Sequence, residues 1–202
     1  MSIQYIGSEY GGWPIDLDLI TPRSTVISGG IGTDASFDKS LIKLKQCSVV
    51  GIDPTKKSHD YIEQENINGL TLIKAALTGE RKTKDIKIYK QKNPNHVSES
   101  ILSSNKNCSS EHYLSNTVGI TEILSLYPDI SILKLDIEGA EYEVIDSLPE
   151  ITIPQLCIEF HHFCTGFSES DTRNALQKLF KLGYTHQFSA NGRDHLLIHK
   201  DQ

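Results

Sequence analysis

Residues 25–53, TVISGGIGTDASFDKSLIKLKQCSVVGID, decide the fold class by placing a glycine-rich turn and a helical segment between two short β-rich runs. The first run is Thr25–Ser28, and the second is Ser48–Ile52, which stops at Asp53. Apolar residues recur at i, i+4 and i+7 between them, as on one face of a helix: Phe37, Leu41 and Leu44. Asp34 is the predicted N-cap of that helix. The stretch therefore predicts two parallel strands joined by a crossover helix.

The same alternation continues along the chain. Three more β-rich runs predict parallel strands: Leu70–Lys74, Ser131–Asp136 and Gln155–Phe160. Helical patterns separate and follow them: Lys57–Asn66, Ile120–Tyr127, Ala140–Leu148, and a last helix opened by a capping box at Ser168–Asp171 and ended by Gly183. Tyr184–Phe188 and His195–His199 flank Asn191-Gly192, which indicates a β-hairpin. We therefore predict a Rossmann-like α/β fold, with a mostly parallel seven-stranded sheet, helices on both faces and an antiparallel C-terminal hairpin.

The domain organisation is expected to be simple. The chain of 202 residues predicts a single domain over 1–202, with 1–24 as an N-terminal cap segment. Residues 92–116 are rich in Ser, Asn and His and lack periodicity, which predicts a long mobile loop that covers the substrate. Residues 81–92 are rich in lysine, which is typical of a protected edge strand. Contact with an anionic substrate is the alternative interpretation of that basic run.

Composition excludes several classes of protein. With 38% apolar and 23% charged residues, the chain is neither disordered nor a membrane protein, and no apolar run reaches the ~20 residues of a spanning helix. Twenty basic against 26 acidic side chains leave no basic face for nucleic acid. Residues 1–18 lack the pattern of a secretory signal, so we expect a cytoplasmic protein. The four cysteines lack the spacing of a zinc site, and we expect no disulfide framework.

The glycine-rich turn predicts a nucleotide-type ligand. Gly30-x-Gly32-x-x-Ala35 fits a dinucleotide fingerprint, in which backbone N–H groups approach the ligand. Asp53 follows the second strand, where an acid is expected to bind the two ribose hydroxyls. The turn alone does not separate a nicotinamide cofactor from S-adenosylmethionine, and a tight turn without a ligand is the third interpretation.

Acidic residues end the next two predicted strands. Asp136-x-Glu138-Gly139 follows one strand, at the edge where open α/β sheets bind ligands. Because side chains alternate along a strand, Asp136 is expected to share a face with Lys134, and Glu159 with His161. The short first crossover and the closing hairpin favour a methyltransferase sheet over a fully parallel dinucleotide fold.

Residues 133–145, LKLDIEGAEYEVI, resemble the signature of the FkbM family of S-adenosylmethionine-dependent methyltransferases. Further segments resemble that family in the same order, so that the similarity spans 5–161: Tyr10-Gly11-Gly12-Trp13, residues 30–38, Asp53-Pro54-Thr55, Ala76-Leu77 and Ile158-Glu159-Phe160-His161. One departure is Ser28, which stands where methyltransferases often carry a first-strand acid.

The resemblance implies the class I methyltransferase fold, S-adenosylmethionine as cofactor, and methyl transfer to a hydroxyl of a small molecule or sugar. The cofactor-binding residues are then Gly30, Ile31, Gly32, Asp53, Ala76, Leu77, Asp136 and Glu138. The catalytic residues are Asp136, which binds the methionine end or orients the acceptor, and Glu159 or His161 as the base. The acceptor-binding residues are Tyr10, Trp13, Glu138 and His161.

Other interpretations stay open from the sequence. Asp136 and Glu159 fit a buried ion pair with Lys134, and Glu138 fits a helix cap. Trp13 fits a core anchor. We assign no metal, although Asp136, Glu138, Glu159 and His161 together would suit magnesium. The alternative functions are an inactive methyltransferase-fold binding module and an NAD(P)-dependent oxidoreductase, which the lack of a Tyr-x-x-x-Lys pair disfavours.

Overall fold

The computed structural model describes residues 2–150 and 152–202. The strands in these residues are β1 (Ile3–Ile6), β2 (Trp13–Asp16), β3 (Thr25–Gly29), β4 (Ser48–Ile52), β5 (Leu70–Ile73), β6 (Ala76–Thr78), β7 (Ile86–Gln91), β8 (Cys108–Ser115), β9 (Thr117–Gly119), β10 (Ile130–Leu135), β11 (Gln155–Glu159), β12 (Tyr184–Ala190) and β13 (Asp194–His199). The α-helices are α1 (Ser36–Lys45), α2 (Lys56–Glu65), α3 (Ile120–Leu126), α4 (Glu141–Asp146) and α5 (Glu169–Lys181).

Seven strands form the central sheet in the order β12-β13-β11-β10-β3-β4-β5. The five strands from β5 to β11 run parallel, whereas β13 is antiparallel to both β11 and β12. The predicted seven-stranded sheet and its antiparallel C-terminal hairpin are confirmed. The chain leaves β3 in one direction and β10 in the other, so a crevice opens between their carboxyl ends, where such sheets bind ligands.

Both faces of the sheet are covered, and all six residues of β10 are buried. One core cluster includes Ile123 of α3, Val144 of α4 and Leu179 of α5. The opposite cluster joins Phe37 of α1 to Trp13 of the β1–β2 hairpin. The near-continuous apolar strands are therefore explained by burial on two sides.

The N-terminal cap segment is itself structured. β1 and β2 form an antiparallel pair, and β2 is entirely buried. The Gln155 side chain connects β2 to the start of β11, because its Oε1 accepts from the Asp16 N–H at 2.7 Å and its Nε2 donates to the Asp16 carbonyl at 3.0 Å. The cap segment is thus part of the core.

The prediction of a loop over residues 92–116 is wrong for its second half. Cys108–Ser115 is strand β8, which pairs antiparallel with β7 in a separate two-stranded sheet. Most β8 side chains are exposed or half-buried, so the sequence lacks the apolar alternation that would reveal a strand. The predicted edge strand therefore belongs to this ribbon and not to the central sheet.

Two details of the predicted helices also differ. Helix α1 begins after Ala35, which makes no side-chain capping bond, while Asp34 accepts from the Ser36 N–H and from the Ser8 hydroxyl. Leu44 is exposed, so the apolar face is shorter than predicted. The predicted capping box between Ser168 and Asp171 is confirmed.

The remaining features concern the described residues alone. All four cysteines are buried and free. No helix in this part of the chain has the length and apolarity needed to cross a membrane.

Candidate active site

A pocket of about 480 Å³ opens at the carboxyl edge of the central sheet. It is lined by strand ends, by the glycine-rich turn, by the N-terminal segment, and by residues 97–99 and 101. Every residue predicted as part of the site lines this pocket: Tyr10, Trp13, Gly30, Ile31, Gly32, Asp53, Ala76, Leu77, Asp136, Glu138, Glu159 and His161. The fold therefore brings the predicted residues together, while their individual roles stay predictions.

The glycine turn, residues Gly29–Gly32, joins β3 to the segment before α1. Gly30 and Gly32 have positive φ angles of 75° and 60°, which L side chains rarely adopt. A Cβ atom on Gly30 would lie 1.7 Å from the Asp136 carbonyl oxygen. The turn therefore packs directly against the end of β10, and only glycine fits at Gly30.

Asp53 holds this turn in place. Its Oδ2 accepts from the backbone N–H groups of Ile31 and Gly32, both at 3.0 Å. Its Oδ1 accepts from the N–H and the hydroxyl of Thr55, at 2.8 and 2.6 Å. A carboxylate offers about four acceptor sites, so the protein itself occupies all those of Asp53. Asp53 therefore positions the turn, and its contact with ribose stays a prediction.

Lys134 lies beneath the turn and is almost fully buried. Its Nζ donates to the carbonyls of Gly29 and Gly30 at 3.3 and 2.6 Å, and lies 3.6 Å from Asp136 Oδ2. The Trp13 ring centroid is 5.8 Å from this ammonium. The predicted pairing of Lys134 with Asp136 on one strand face is confirmed.

Below the turn lie two buried polar side chains. Ser28 Oγ and Asp38 Oδ1 have no hydrogen-bond partner within the described part of the chain. Burial raises the pKa of the Asp38 carboxyl, and the positive charge of Lys134 opposes that rise. Asp38 also lines the pocket, so helix α1 places an acid near Ser28.

At the ends of β10 and β11, five titratable side chains form a group that we call the His161 cluster: Asp136, Glu138, Glu141, Glu159 and His161. The imidazole is 3% exposed, and its Nδ1 lies 2.8 Å from Glu141 Oε1. Its Nε2 faces Glu138 Oε2 at 3.5 Å, Asp136 Oδ1 at 3.8 Å and Glu159 Oε1 at 3.9 Å. The predicted proximity of Glu159 and His161 is confirmed.

The cluster perturbs the pKa values of its members. Burial, followed by repulsion from Asp136, raises the pKa of Glu159 to about 8, although His161 opposes the rise. Burial also raises the pKa of Glu138. For His161, burial lowers the pKa, but the carboxylates led by Glu141 outweigh burial and hold the pKa well above 6.5. Of the two predicted bases, Glu159 is therefore the better proton acceptor near neutral pH.

The predicted acceptor-binding aromatics occupy different depths. Tyr10 is 82% exposed at the rim of the pocket, whereas Trp13 is buried in the core and presents its ring to the pocket. The interpretation of Trp13 as a core anchor is confirmed, and its contact with the acceptor stays a prediction. Ala76 and Leu77, the first residues of β6, form a buried apolar wall.

Sequence reasoning missed Glu141, which is fully buried. It is the first residue of α4, and its Oε1 also accepts from the N–H groups of Ile137 and Gly139 at 3.0 and 3.2 Å. An acid at the start of a helix is favoured by the helix dipole whether it is buried or exposed. The sequence therefore carries no signal that Glu141 is buried beside His161. Sequence reasoning also missed Asp38, which lines the pocket. Here the sequence does carry a signal of burial, because Asp38 is an acid beside the apolar positions of α1.

Most of the chain matches one known protein family. Residues 32–185 match the family described as the methyltransferase FkbM domain. No curated protein matches the chain.

Several solved structures are similar in fold. Precorrin-6y C5,15-methyltransferase from Geobacter metallireducens is 11% identical with a TM-score of 0.48, over 90% of this chain and 82% of that one. An rRNA methylase from Streptococcus thermophilus is 12% identical with a TM-score of 0.42, over 90% and 88%. A putative methyltransferase from Streptococcus mutans in complex with SAH is 12% identical with a TM-score of 0.41, over 90% and 92%.

The family match covers most of the central sheet and contains the 133–145 signature. It includes the glycine at the end of the turn, Asp53 and the whole His161 cluster. The resemblance stated from the sequence is confirmed, and with it the methyltransferase fold class. The chain belongs to the FkbM family of S-adenosylmethionine-dependent methyltransferases.

Proposed function

We propose that the protein transfers the methyl group of S-adenosylmethionine to a hydroxyl oxygen of a small molecule or sugar. The observation that carries the proposal is that one pocket joins the glycine turn to the His161 cluster. A cofactor site and a proton-accepting carboxylate thus face the same space. The reaction needs both, because a protonated hydroxyl is a poor nucleophile.

The residues present fit the cofactor. A pocket of about 480 Å³ lies within the ~300–1,000 Å³ typical of ligand sites. The backbone of the glycine turn, Asp53, Ala76 and Leu77 would hold the adenosine, and Asp136 and Glu138 the methionine end. For Asp53 to bind ribose, the Thr55 hydroxyl must rotate away from Oδ1, which needs only a side-chain torsion.

Asp38 is our candidate for the missing first-strand acid. Ser28 has no carboxylate for the amine of the methionine group. Asp38 lines the pocket, and its Oδ1 has no hydrogen-bond partner among the described residues. An ammonium group there would favour the ionised form of this buried carboxyl, whose pKa burial raises.

When bound, S-adenosylmethionine supplies a methyl group whose bond to sulfur breaks, the electron pair staying on sulfur, as the new bond to oxygen forms. Glu159 accepts the proton that the acceptor hydroxyl loses. Its pKa of about 8 leaves part of the population ionised at neutral pH and makes it a stronger base than an ordinary carboxylate. The protein otherwise positions the acceptor and excludes water.

The charge of the pocket disfavours an anionic acceptor. Nine acidic side chains line it: Glu9, Asp34, Asp38, Asp53, Glu99, Asp136, Glu138, Glu159 and Asp194. Lys134 is the one lysine or arginine among the described lining residues. A polyanion such as nucleic acid would be repelled, so we do not propose one as the acceptor. The cytoplasmic location expected from the sequence stays a prediction.

The test is a turnover assay with S-adenosylmethionine and a panel of sugars and hydroxylated small molecules. We expect S-adenosylhomocysteine and a product heavier by one methyl group. Thermal unfolding with S-adenosylmethionine, S-adenosylhomocysteine and NAD separates the alternatives, because a specific ligand raises the midpoint. Stabilisation by S-adenosylmethionine without turnover on any acceptor would favour the inactive binding module, and stabilisation by NAD alone the oxidoreductase.

A further inference from the structure

Three side chains of the His161 cluster lie close enough together to bind one metal ion. Asp136 follows β10, Glu159 ends β11, and His161 lies two residues further. One atom from each of these side chains lies within 4.8 Å of the other two. Metal–ligand bonds of ~2.0–2.2 Å place neighbouring ligand atoms about 3–3.5 Å apart, so side-chain rotations that bring these atoms about 1 Å closer would complete a site.

His161 supplies an observation independent of the acidic residues. Its side chain is only 3% exposed, and its Nε2 points among the carboxylates without a hydrogen bond from any described residue. The nearest oxygen, Glu138 Oε2, is 3.5 Å away. A buried ring nitrogen that faces carboxylates without a hydrogen bond is available as a ligand.

Glu141 fixes the orientation of this imidazole. Its Oε1 lies 2.8 Å from His161 Nδ1 and is anchored by the N–H groups of Ile137 and Gly139. Because Nδ1 donates to Glu141, Nε2 is directed at Asp136 and Glu159, and a cation that binds there would displace the proton on Nε2. This carboxylate–histidine arrangement is how metal-binding histidines are held in place.

We propose that Asp136, Glu159 and His161 bind a divalent cation that accepts both nitrogen and oxygen ligands, such as Mn²⁺. One imidazole with two carboxylates is unlike the all-oxygen sites of Ca²⁺ and unlike thiolate-rich zinc sites. All three residues line the pocket, so a cation bound to them would lie where an acceptor oxygen can reach it.

With the cation bound, Glu159 would serve as a ligand instead of as the base, and the cation would bind the acceptor oxygen and lower its pKa, which eases loss of its proton. Asp136 then orients the acceptor through the cation, one of the two roles predicted for it. This acceptor role rests on the proposed function, whereas binding of the cation does not.

The test is titration of the full chain with Mn²⁺, without cofactor or acceptor, followed by the loss of the free-ion electron paramagnetic resonance signal. We expect one Mn²⁺ per chain. His161→Gln and Glu159→Gln should each weaken binding at least about tenfold. Glu9→Gln removes a pocket carboxylate outside the cluster and should keep the wild-type affinity.

Absence of bound Mn²⁺ at millimolar concentration would overturn the proposal, as would equal affinity in wild type and both cluster variants. An equal loss in Glu9→Gln would do the same, because it would show unspecific attraction by the acidic pocket. Thermal unfolding checks that each variant folds, and if His161→Gln does not, the less buried Glu159→Gln decides. Mn²⁺ binding without methyl transfer would reject the proposed function and keep the cation site.

Discussion

The two sides of the pocket treat their carboxylates differently. Under the glycine turn, both oxygens of Asp53 accept two hydrogen bonds each from the protein. In the His161 cluster, the half-buried carboxylates of Asp136, Glu138 and Glu159 face the Nε2 atom without a hydrogen bond to it. Asp53 therefore supports the fold, whereas the open carboxylates of the cluster are candidates for chemistry.

The largest effect should follow a change on the open side. Glu159→Gln keeps the shape of the side chain and removes the base, so we expect methyl transfer to fall about 100- to 1,000-fold at saturating cofactor. The thermal midpoint should stay near that of wild type, because the Glu159 side chain is 27% exposed and has no hydrogen bond that glutamine would break. Turnover is measured as S-adenosylhomocysteine release, with the surface variant Glu169→Gln as control. Turnover within twofold of wild type would remove Glu159 from the mechanism.

The closed side should respond in stability. A methyl group at Gly30 would overlap the Asp136 carbonyl, so Gly30→Ala should destabilise the fold by roughly 2–4 kcal/mol. Gly192 in the β12–β13 turn also has a positive φ, of 64°, but no atom lies within 4 Å of the place that its Cβ would take. Gly192→Ala therefore measures only the cost of placing alanine at a positive φ, about 1–2 kcal/mol of unfolding free energy. Equal losses in denaturant unfolding would contradict the close packing at Gly30.

Asp53→Asn tests whether the satisfied carboxylate also binds ribose. An amide has one acceptor oxygen, so either the two N–H groups of the turn or the N–H of Thr55 lose their partner, at about 1–3 kcal/mol. We expect lower stability together with weaker binding of S-adenosylmethionine in calorimetry. A folded variant with wild-type affinity would restrict Asp53 to positioning the turn.

His195 lies outside both sides of the pocket, and its titration provides a separate pH dependence of the unfolding free energy. Burial, followed by repulsion from His186, lowers the pKa of His195 to about 4. The unfolded chain therefore takes up this proton first, and stability should fall by roughly 1–2 kcal/mol as the pH drops from about 6.5 toward about 4. His195→Gln should flatten this part of the curve of unfolding free energy against pH. An unchanged curve would show that His195 is not kept neutral by the fold.

The smallest effect concerns the predicted mobile segment. Within 92–116, residues 97–99 line the pocket and the Ser100 hydroxyl donates to the Glu138 carbonyl at 2.7 Å. We expect cofactor and acceptor to slow amide hydrogen exchange in residues 92–107 and to leave β8 unchanged. Equal exchange with and without ligands would reject a lid.

The sequence was sufficient for features set by burial patterns. Apolar runs such as Ser131–Asp136 revealed the strands, and the order of elements then placed Asp53 and Asp136 at one edge of the sheet. Strand β8 could not be predicted, because a two-stranded ribbon with two exposed faces needs no apolar alternation. The hydrogen bonds of Asp53 and the burial of Glu141 depend on packing between distant segments, which spacing does not encode.

The bond between Gln155 and Asp16 has a consequence for how the molecule assembles. These residues are 139 positions apart, so the hairpin can pack on Phe37 of α1 early but meets β11 only after three quarters of the chain has been made. Closing so long a loop slows folding. During synthesis on the ribosome, the contact of the hairpin with β11 is therefore among the last that the N-terminal segment makes.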